Sequence, residues 1–341
     1  MLERHGYLLR PRFRPDWIPS WLNTNKSPLL FEDSFFNPMP MIIDAKRMSD
    51  GTQVIIKAVE RNAKESNIGL YLSSGDHAND SENHCIPFYE IVRDDEAPSL
   101  EFIIMPLLRP FNDPPFFSVD EVLDFMQQTL QGLGFMHKLG VAHRDCSDEN
   151  IMFDAAEMYP KGFHASLWSF DAAGNVARPL RRSDVRSVKY YFTDFGLSSR
   201  FKEGEPRLVS GREGLDQDVP ELSSFKTYDP FAVDIYILGN VFKRHLTTKF
   251  TNIQFLTPLV ESMTQQVPEK RPSSADALKQ FNELVSDIPG YARRWVLKDV
   301  GGGKLTSVIQ DAGSVRRECF YILKSLLGSP RRFLFSTARP S

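Results

Sequence analysis

The sequence predicts an α+β fold whose strands come first and whose helices follow. Two patterns carry that reading. Short apolar runs of strand length, 41–59, 86–92 and 101–105, all lie before residue 110. Beyond them, apolar residues recur at helical spacing through 119–136, 235–246, 256–263 and 274–285. Segregation of the two kinds of element along the chain is the mark of an α+β architecture.

The composition is that of an ordinary folded protein: 341 residues, 41% hydrophobic and 25% charged, enough to bury a substantial core. A formal charge of −3 gives no reason to expect a nucleic-acid partner. Cys85, Cys146 and Cys319 are widely spaced and match no metal-binding pattern, so a reducing compartment is the expected home. No apolar run approaches the roughly 20 residues that span a bilayer, and the first residues lack the apolar core of a secretory signal. Arg4, Arg10, Arg12 and Arg14 are interrupted by Pro11 and Pro15, which does not suit a mitochondrial presequence. The expectation is a cytoplasmic or nuclear protein with no membrane association.

Residues 1–40 mix prolines with Trp17, Trp21, Phe31, Phe35 and Phe36, a composition that forbids a long helix and predicts an extended arm docked on the first lobe. Met41–Arg47 and Gln53–Val59 around Asp50-Gly51 form a β-hairpin, since Asp-Gly supplies the positive φ of a tight turn. Glu65–Leu70 has helical spacing, with Asn62 as a candidate N-cap and Glu65 as its N3 partner. The polar run 73–83 is expected as a surface loop. Ser118–Glu121 reads as a capping box opening a long helix whose Met and Leu residues are core. Ser273 or Ser274 caps the last helix of the body, Gly301–Gly303 form a flexible hinge, and Val315–Leu327 form a packing helix.

The chemistry concentrates in His143-Arg144-Asp145-Cys146-Ser147-Asp148-Glu149-Asn150 and in Asp194-Phe195-Gly196. They place a base and two hard oxygen ligands in one site, the requirements of a magnesium nucleotide. With Val54-Ile55-Ile56-Lys57, Val219-Pro220-Glu221, the Asp234 to Gly239 spacing and Pro268–Pro272, they resemble the motifs of the protein-kinase superfamily in the family's own order. The long stretch between Asn150 and Asp194, Met105-Pro106-Leu107-Leu108-Arg109-Pro110-Phe111 and His143-Arg144-Asp145-Cys146 together resemble, more finely, a kinase-like group of mushroom-forming fungi.

That resemblance implies a two-lobed fold: an N-terminal arm at 1–40, a β-rich small lobe at 41–108, a helical large lobe at 109–288 with an insertion at 155–189, and an extension at 289–341. It implies an ATP- and Mg²⁺-dependent enzyme acting on serine or threonine hydroxyls of protein. Asp145 would orient the acceptor hydroxyl, Lys57 the phosphates, and Asn150 with Asp194 would hold the metal. Glu65 would pair with Lys57. Met105, Pro106 and Leu108 would form the adenine-facing hinge, for which proline keeps its carbonyl. Arg144 would hold a phosphorylated segment, with Ser198, Ser199 and Ser210 as candidates, or else pair with a carboxylate. Glu221 would pair with Arg271, and Asp234 would bond the backbone of the catalytic loop.

Three departures stand against this pattern. No glycine lies between Gly6 and Gly51, where the family carries its phosphate lid. Ser147 stands where serine/threonine kinases place a lysine. Between Asn150 and Asp194 the family's short hairpin is greatly lengthened; its run Arg178, Arg181, Arg182 and Arg186 is expected as a solvated face, with partner binding the rarer outcome. An inactive relative serving as an interaction module is therefore the competing reading, and a kinase of choline or aminoglycosides is disfavoured by the Val-Pro-Glu and Asp-Phe-Gly motifs.

Overall fold

The computed structural model describes residues 1–35, 39–171 and 174–326. Phe36 and Pro38 of the arm, Leu327 and the basic closing residues lie outside them.

Five antiparallel strands open the fold: β1 (Tyr7–Leu9), β2 (Ile42–Arg47), β3 (Gln53–Glu60), β4 (Glu90–Arg93) and β5 (Leu100–Pro106), in the order β1-β2-β3-β5-β4. The expected hairpin is β2–β3, with Ile42 opposite Lys57 and Gly51 at φ +76°. Arg47 clamps the turn through two bonds to Asp50, of 3.0 and 2.6 Å. One sheet face buries Tyr7, Ala45, Val54, Ile56, Val92 and Ile104 together.

The arm does more than rest on this sheet, because Tyr7–Leu9 is its edge strand, paired to Ala45–Arg47. The arm thus joins the sheet, and its other described residues pack nearby. There Arg10 donates to Asp44 at 3.0 Å and to Glu32 at 2.8 Å, and Glu32 in turn meets His164 at 2.9 Å. Arg10 also reaches Ser166 Oγ at 3.4 Å. The arm is therefore tied to the 155–189 segment.

Helix α1 (Lys64–Leu72) follows, capped at Ala63. Asn62 is not the cap: its φ is +62° and its N–H goes to Glu101 at 3.1 Å. A left-handed residue there turns the chain out of β3 before the helix can start. The 73–83 run contains one helical turn, α2 (Gly75–Ala78), and the buried Asn83, whose amide holds the carbonyls of Leu72 and His77. The strand expected from Ile86 begins only at Glu90, because His84–Ile86 are stitched to Phe192 instead.

The second part is helical. Two further short strands, β6 (Arg109–Pro110) and β7 (Val141–Ala142), flank α3 (Val119–Lys138). Phe125 of α3 stacks on Phe111 with centroids 4.5 Å apart, and its neighbours Val122, Met126, Leu130, Leu133 and Met136 are fully buried. The expected capping box does not form among the described residues: Ser118 occupies the cap with its buried hydroxyl unpartnered, and Glu121 accepts the Phe117 N–H at 2.7 Å in place of the Ser118 N–H.

Strands β8 (Ile151–Phe153) and β9 (Tyr190–Phe192) pair across the long segment and join β6 in a three-stranded sheet. The basic run is not a uniformly solvated face. Arg178, Arg181 and Arg186 are exposed, but Arg182 is buried and donates to the carbonyls of Phe111 and Pro115. Its guanidinium fills space between the Phe116 and Phe153 rings, which a solvated reading could not anticipate.

Next come β10 (Ser199–Arg200), paired to β7, then β11 (Val209–Gly211) and β12 (Ser223–Tyr228), paired to each other. Helix α4 (Pro230–Phe242) begins earlier than the expected Ile235, because Asp229 caps the Phe231 N–H and Pro230 fits the first helical position. Gly239 is required on it, since a Cβ would lie 2.8 Å from Met263 Cβ. Helices α5 (Thr257–Met263) and α6 (Ser274–Ser286) complete the body, the latter capped by Ser273 through Asp276 N–H at 3.1 Å. A turn, α7 (Gly290–Arg293), leads to α8 (Lys304–Leu326), which starts well before Val315. Arg294–Glu318 and Lys298–Asp311 pairs fasten it to the body.

Two outcomes are expected. Arg10→Ala strands the buried Asp44 carboxylate and should lower unfolding free energy by ~3 kcal/mol in urea titration; a change within ~0.5 kcal/mol would mean that the cluster contributes nothing. His84, buried and bonded at Nδ1 to the Tyr190 carbonyl, has its pKa pushed down by burial to about 4. The unfolded chain binds that proton first, so His84 costs stability as pH falls from about 6.5 towards 4, by ~3 kcal/mol in all. His84→Asn should flatten the acid limb of the stability profile, and an unchanged limb would contradict this.

Candidate functional site

The catalytic-loop motif sits between β7 and β8, and its shape is set from below by Asp234 of α4. That carboxylate, fully buried, accepts from the His143 N–H at 2.8 Å, the Arg144 N–H at 2.6 Å and His137 Nε2 at 2.9 Å. Arg144 is held at φ +68°, a conformation that costs a non-glycine residue of order 1–3 kcal/mol and persists only under such constraint. His143 supports the backbone as expected: it meets the Thr193 carbonyl at 3.0 Å and accepts the Asp145 N–H at 3.3 Å. Complete burial holds its pKa below the ordinary histidine value.

On this loop Asp145 and Asn150 meet. The Asn150 amide donates 2.9 Å bonds to both the side-chain Oδ2 and the carbonyl of Asp145. The other carboxylate oxygen accepts the Leu215 N–H at 2.8 Å. Burial raises the Asp145 pKa above the ordinary aspartate value, against the opposing pull of the Leu215 N–H, His143 and Asn150. Gly214, at φ +115°, lets that segment approach so closely: a Cβ there would lie 3.3 Å from the carboxylate. Sequence reasoning missed the Leu215 contact, whose only signal was the paired glycines of Gly211-Arg212-Glu213-Gly214.

The second half of the site comes from β3, α1 and the Asp-Phe-Gly turn. Lys57 Nζ lies 2.7 Å from Glu65 Oε1 and 3.1 Å from Asp194 Oδ1, so the short β3–α1 connection does reach. Burial alone would push the Lys57 pKa down, but the two carboxylates outweigh it and hold the ammonium above its ordinary value. Burial conversely lifts Glu65, with Lys57 opposing. Asp194 is itself left-handed, at φ +61°, and stays below the ordinary aspartate value: Lys57 and the Gly196 N–H offset its burial. Thr193 joins the halves, its N–H and Oγ1 both donating to the Asn150 carbonyl.

Behind them Phe195 is fully buried, 5.4 Å from the His143 ring and 6.4 Å from Phe88. Phe88 fits only because Gly69 of α1 has no side chain; a Cβ there would lie 2.1 Å from its ring. Met105 and Pro106 end β5 opposite Ile55 and Val54. Leu108 is buried, and its N–H has no backbone partner among the described residues.

Arg144 donates to the Leu197 carbonyl at 3.1 Å, Ser199 Oγ at 3.4 Å and the Ser210 carbonyl at 3.3 Å, and lies 3.9 Å from Glu213. Of the three candidate serines, Ser198 is buried and donates to the His143 carbonyl. Glu221 and Arg271 form the expected pair, with an Nη2–Oε2 distance of 2.8 Å. Ser147 is buried, its hydroxyl without a partner among the described residues.

The chain matches the protein kinase domain family over residues 41–255, more than half its length, and belongs to that family. Similar proteins include a rat SNF-related serine/threonine-protein kinase, 29% identical over 34% of this chain and 11% of its own length. A zebrafish serine/threonine-protein kinase H1 homolog is 27% identical over 36% of this chain and 22% of its own. The Arabidopsis thaliana eIF-2-alpha kinase GCN2 is 25% identical over 53% of this chain and 15% of its own. In each case the match spans less than a quarter of the relative. No helix among the described residues is long and apolar enough to cross a membrane.

Gly69→Ala should drive Phe88 against Phe195 and destabilise the protein by ~1–3 kcal/mol. Phe88→Leu in the same chain should recover most of that loss; simple additivity of the two substitutions would contradict the packing argument.

Proposed function

We propose that this protein transfers the γ-phosphoryl group of ATP, with Mg²⁺, to serine or threonine hydroxyls of a protein substrate. The observation that carries the reading is the convergence of Lys57, Glu65 and Asp194 on one side with Asp145 and Asn150 on the other. The relatives' serine/threonine designations support the acceptor class.

The donor set suits magnesium, which takes few protein oxygens at a time: the half-exposed Asp194 carboxylate and the Asn150 side-chain oxygen, left over when its nitrogen turns to Asp145. Bound there, the metal would neutralise charge on the phosphates. Lys57, braced by Glu65, would hold the phosphate oxygens, where its raised pKa keeps it cationic. Asp145 would take a hydrogen bond from the acceptor hydroxyl and later its proton, while Asn150 and the Leu215 N–H fix the carboxylate's orientation. The Pro106 carbonyl and the Leu108 N–H would face adenine, against the Met105 side chain. Arg144 would receive a phosphorylated Ser199 or Ser210. The 41–108 and 109–288 segments act as the two lobes, in the cytoplasm or nucleus, with no nucleic-acid or membrane partner.

A second reading, nucleotide binding without turnover, is favoured by Ser147. Loss of one cationic contact to the transferring group costs roughly 3 kcal/mol, on the order of a hundredfold in rate. Radiolabel transfer from ATP to a mixed serine/threonine peptide library should be slow but measurable, and Asp145→Asn should abolish it. Saturating MgATP, at 100 times its dissociation constant, should stabilise both proteins by roughly 2.7 kcal/mol. Equal transfer by both would refute the role of Asp145; stabilisation without transfer by either would leave the second reading.

A further inference from the structure

We propose that the open cavity between Arg181 of the 155–189 segment, residues 112–117, residues 245–250 and 296–299, and helix α8 binds a small, multiply phosphorylated anion. It has a volume of about 730 Å³, within the range of small-ligand sites, and lies apart from Lys57, Asp145 and Asp194.

Its lining is unbalanced in charge. Arg181, Lys249, Arg316 and Arg317 face it, against one carboxylate, Asp299. Of the acids nearby, Glu121 and Asp184 favour the Arg317 charge in part, and others are engaged elsewhere. On α8, Asp311 pairs with Lys298 and Glu318 with Arg294. Glu121 accepts the N–H groups of Phe117 and Ser183. The lining histidine, His245, is turned to Asp148 at 2.8 Å.

The arginines are also arranged rather than scattered. The guanidiniums of Arg181 and Arg317 lie 3.9 and 4.5 Å from the centre of the same Phe117 ring, whose π-face offsets part of their mutual repulsion. Among the described residues Arg317 Nε is buried without a hydrogen-bond partner, while its Nη2 donates to Ser314 Oγ at 3.4 Å. Burial, together with Arg181 and Arg316, presses its pKa below the ordinary arginine value, against the opposing pull of Glu121 and Asp184. Two like charges gathered on one ring, with further cations beside them, are stabilised by an oxyanion that accepts from several forks at once. Phosphate matches that geometry and carries the charge. One phosphate could not satisfy cations spread around such a volume, so the ligand carries several.

The site is composite. Arg181 comes from the 155–189 segment, and Arg316 and Arg317 come from α8, beyond the 41–255 span of the family match. Occupancy would therefore fasten the C-terminal helix to that segment.

The test is calorimetric titration of the full chain with myo-inositol hexakisphosphate and with pyrophosphate, beside flotation with vesicles carrying phosphatidylinositol bisphosphate. Saturable binding of the soluble anions is expected, weakening as salt rises. Arg181→Gln and Arg316→Glu should each weaken it on the order of tenfold or more; Arg316 is exposed, so its replacement leaves packing intact. Lys57→Ala should leave it unchanged. Flotation as well would assign the phosphates to a lipid headgroup, and its absence to a free metabolite. No binding of any probe, binding indifferent to both arginine substitutions, or binding lost in Lys57→Ala would overturn the proposal. None of these outcomes depends on phosphoryl transfer.

Discussion

A carboxylate sealed beneath a strained loop is the constraint on which the site depends. Asp234 is fully buried, and two backbone N–H groups and a histidine converge on it. Burying a charge without such partners would be prohibitive; with them, the loop has one conformation in which those donors are satisfied. That conformation forces Arg144 into the left-handed region and delivers Asp145 and Asn150 to the same edge. Thr193 then fixes the distance to the second left-handed residue, Asp194, by closing both of its donors on Asn150. The opposite side is electrostatic: two carboxylates hold one ammonium, and the Glu65 pairing is lost if α1 moves away from β3.

How far this was legible in the sequence depended on range. Local chemistry was readable: the Asp50-Gly51 turn, the helical period of α3, the Ser273 cap. The Glu221–Arg271 pair and the Asp234 contacts are long-range, and these, like Lys57–Glu65, were expected only because several motifs in order resembled a known family. What escaped notice has a physical reason. Tyr7–Leu9 is too short for an alternating pattern to register, and its partner strand begins some distance along the chain. Arg182 sits in a basic run with nothing to distinguish it, yet two carbonyls and two aromatic rings draw it inside. Asn62 has the side chain of a cap but the backbone of a turn, and the backbone prevails. The Leu215 N–H that orients Asp145 is a main-chain group, which side-chain patterns do not encode.

The departures from the family pattern are connected in space. The segment replacing a glycine lid carries Arg10 and Glu32, and these meet His164 and Ser166 of the lengthened 155–189 segment. The same segment supplies Arg181 to the cavity at α8. The arm and the C-terminal helix thus both approach the 155–189 segment.

The central claim is that the loop held by Asp234 and the turn bearing Asp194 together form one nucleotide site. A crystal structure with Mg²⁺ and a non-hydrolysable ATP analogue tests it most directly. The account predicts a metal within about 2.1 Å of the Asp194 carboxylate and the Asn150 side-chain oxygen, with Lys57 on the phosphates. A metal held by other residues, or phosphates lying away from Lys57, would contradict it.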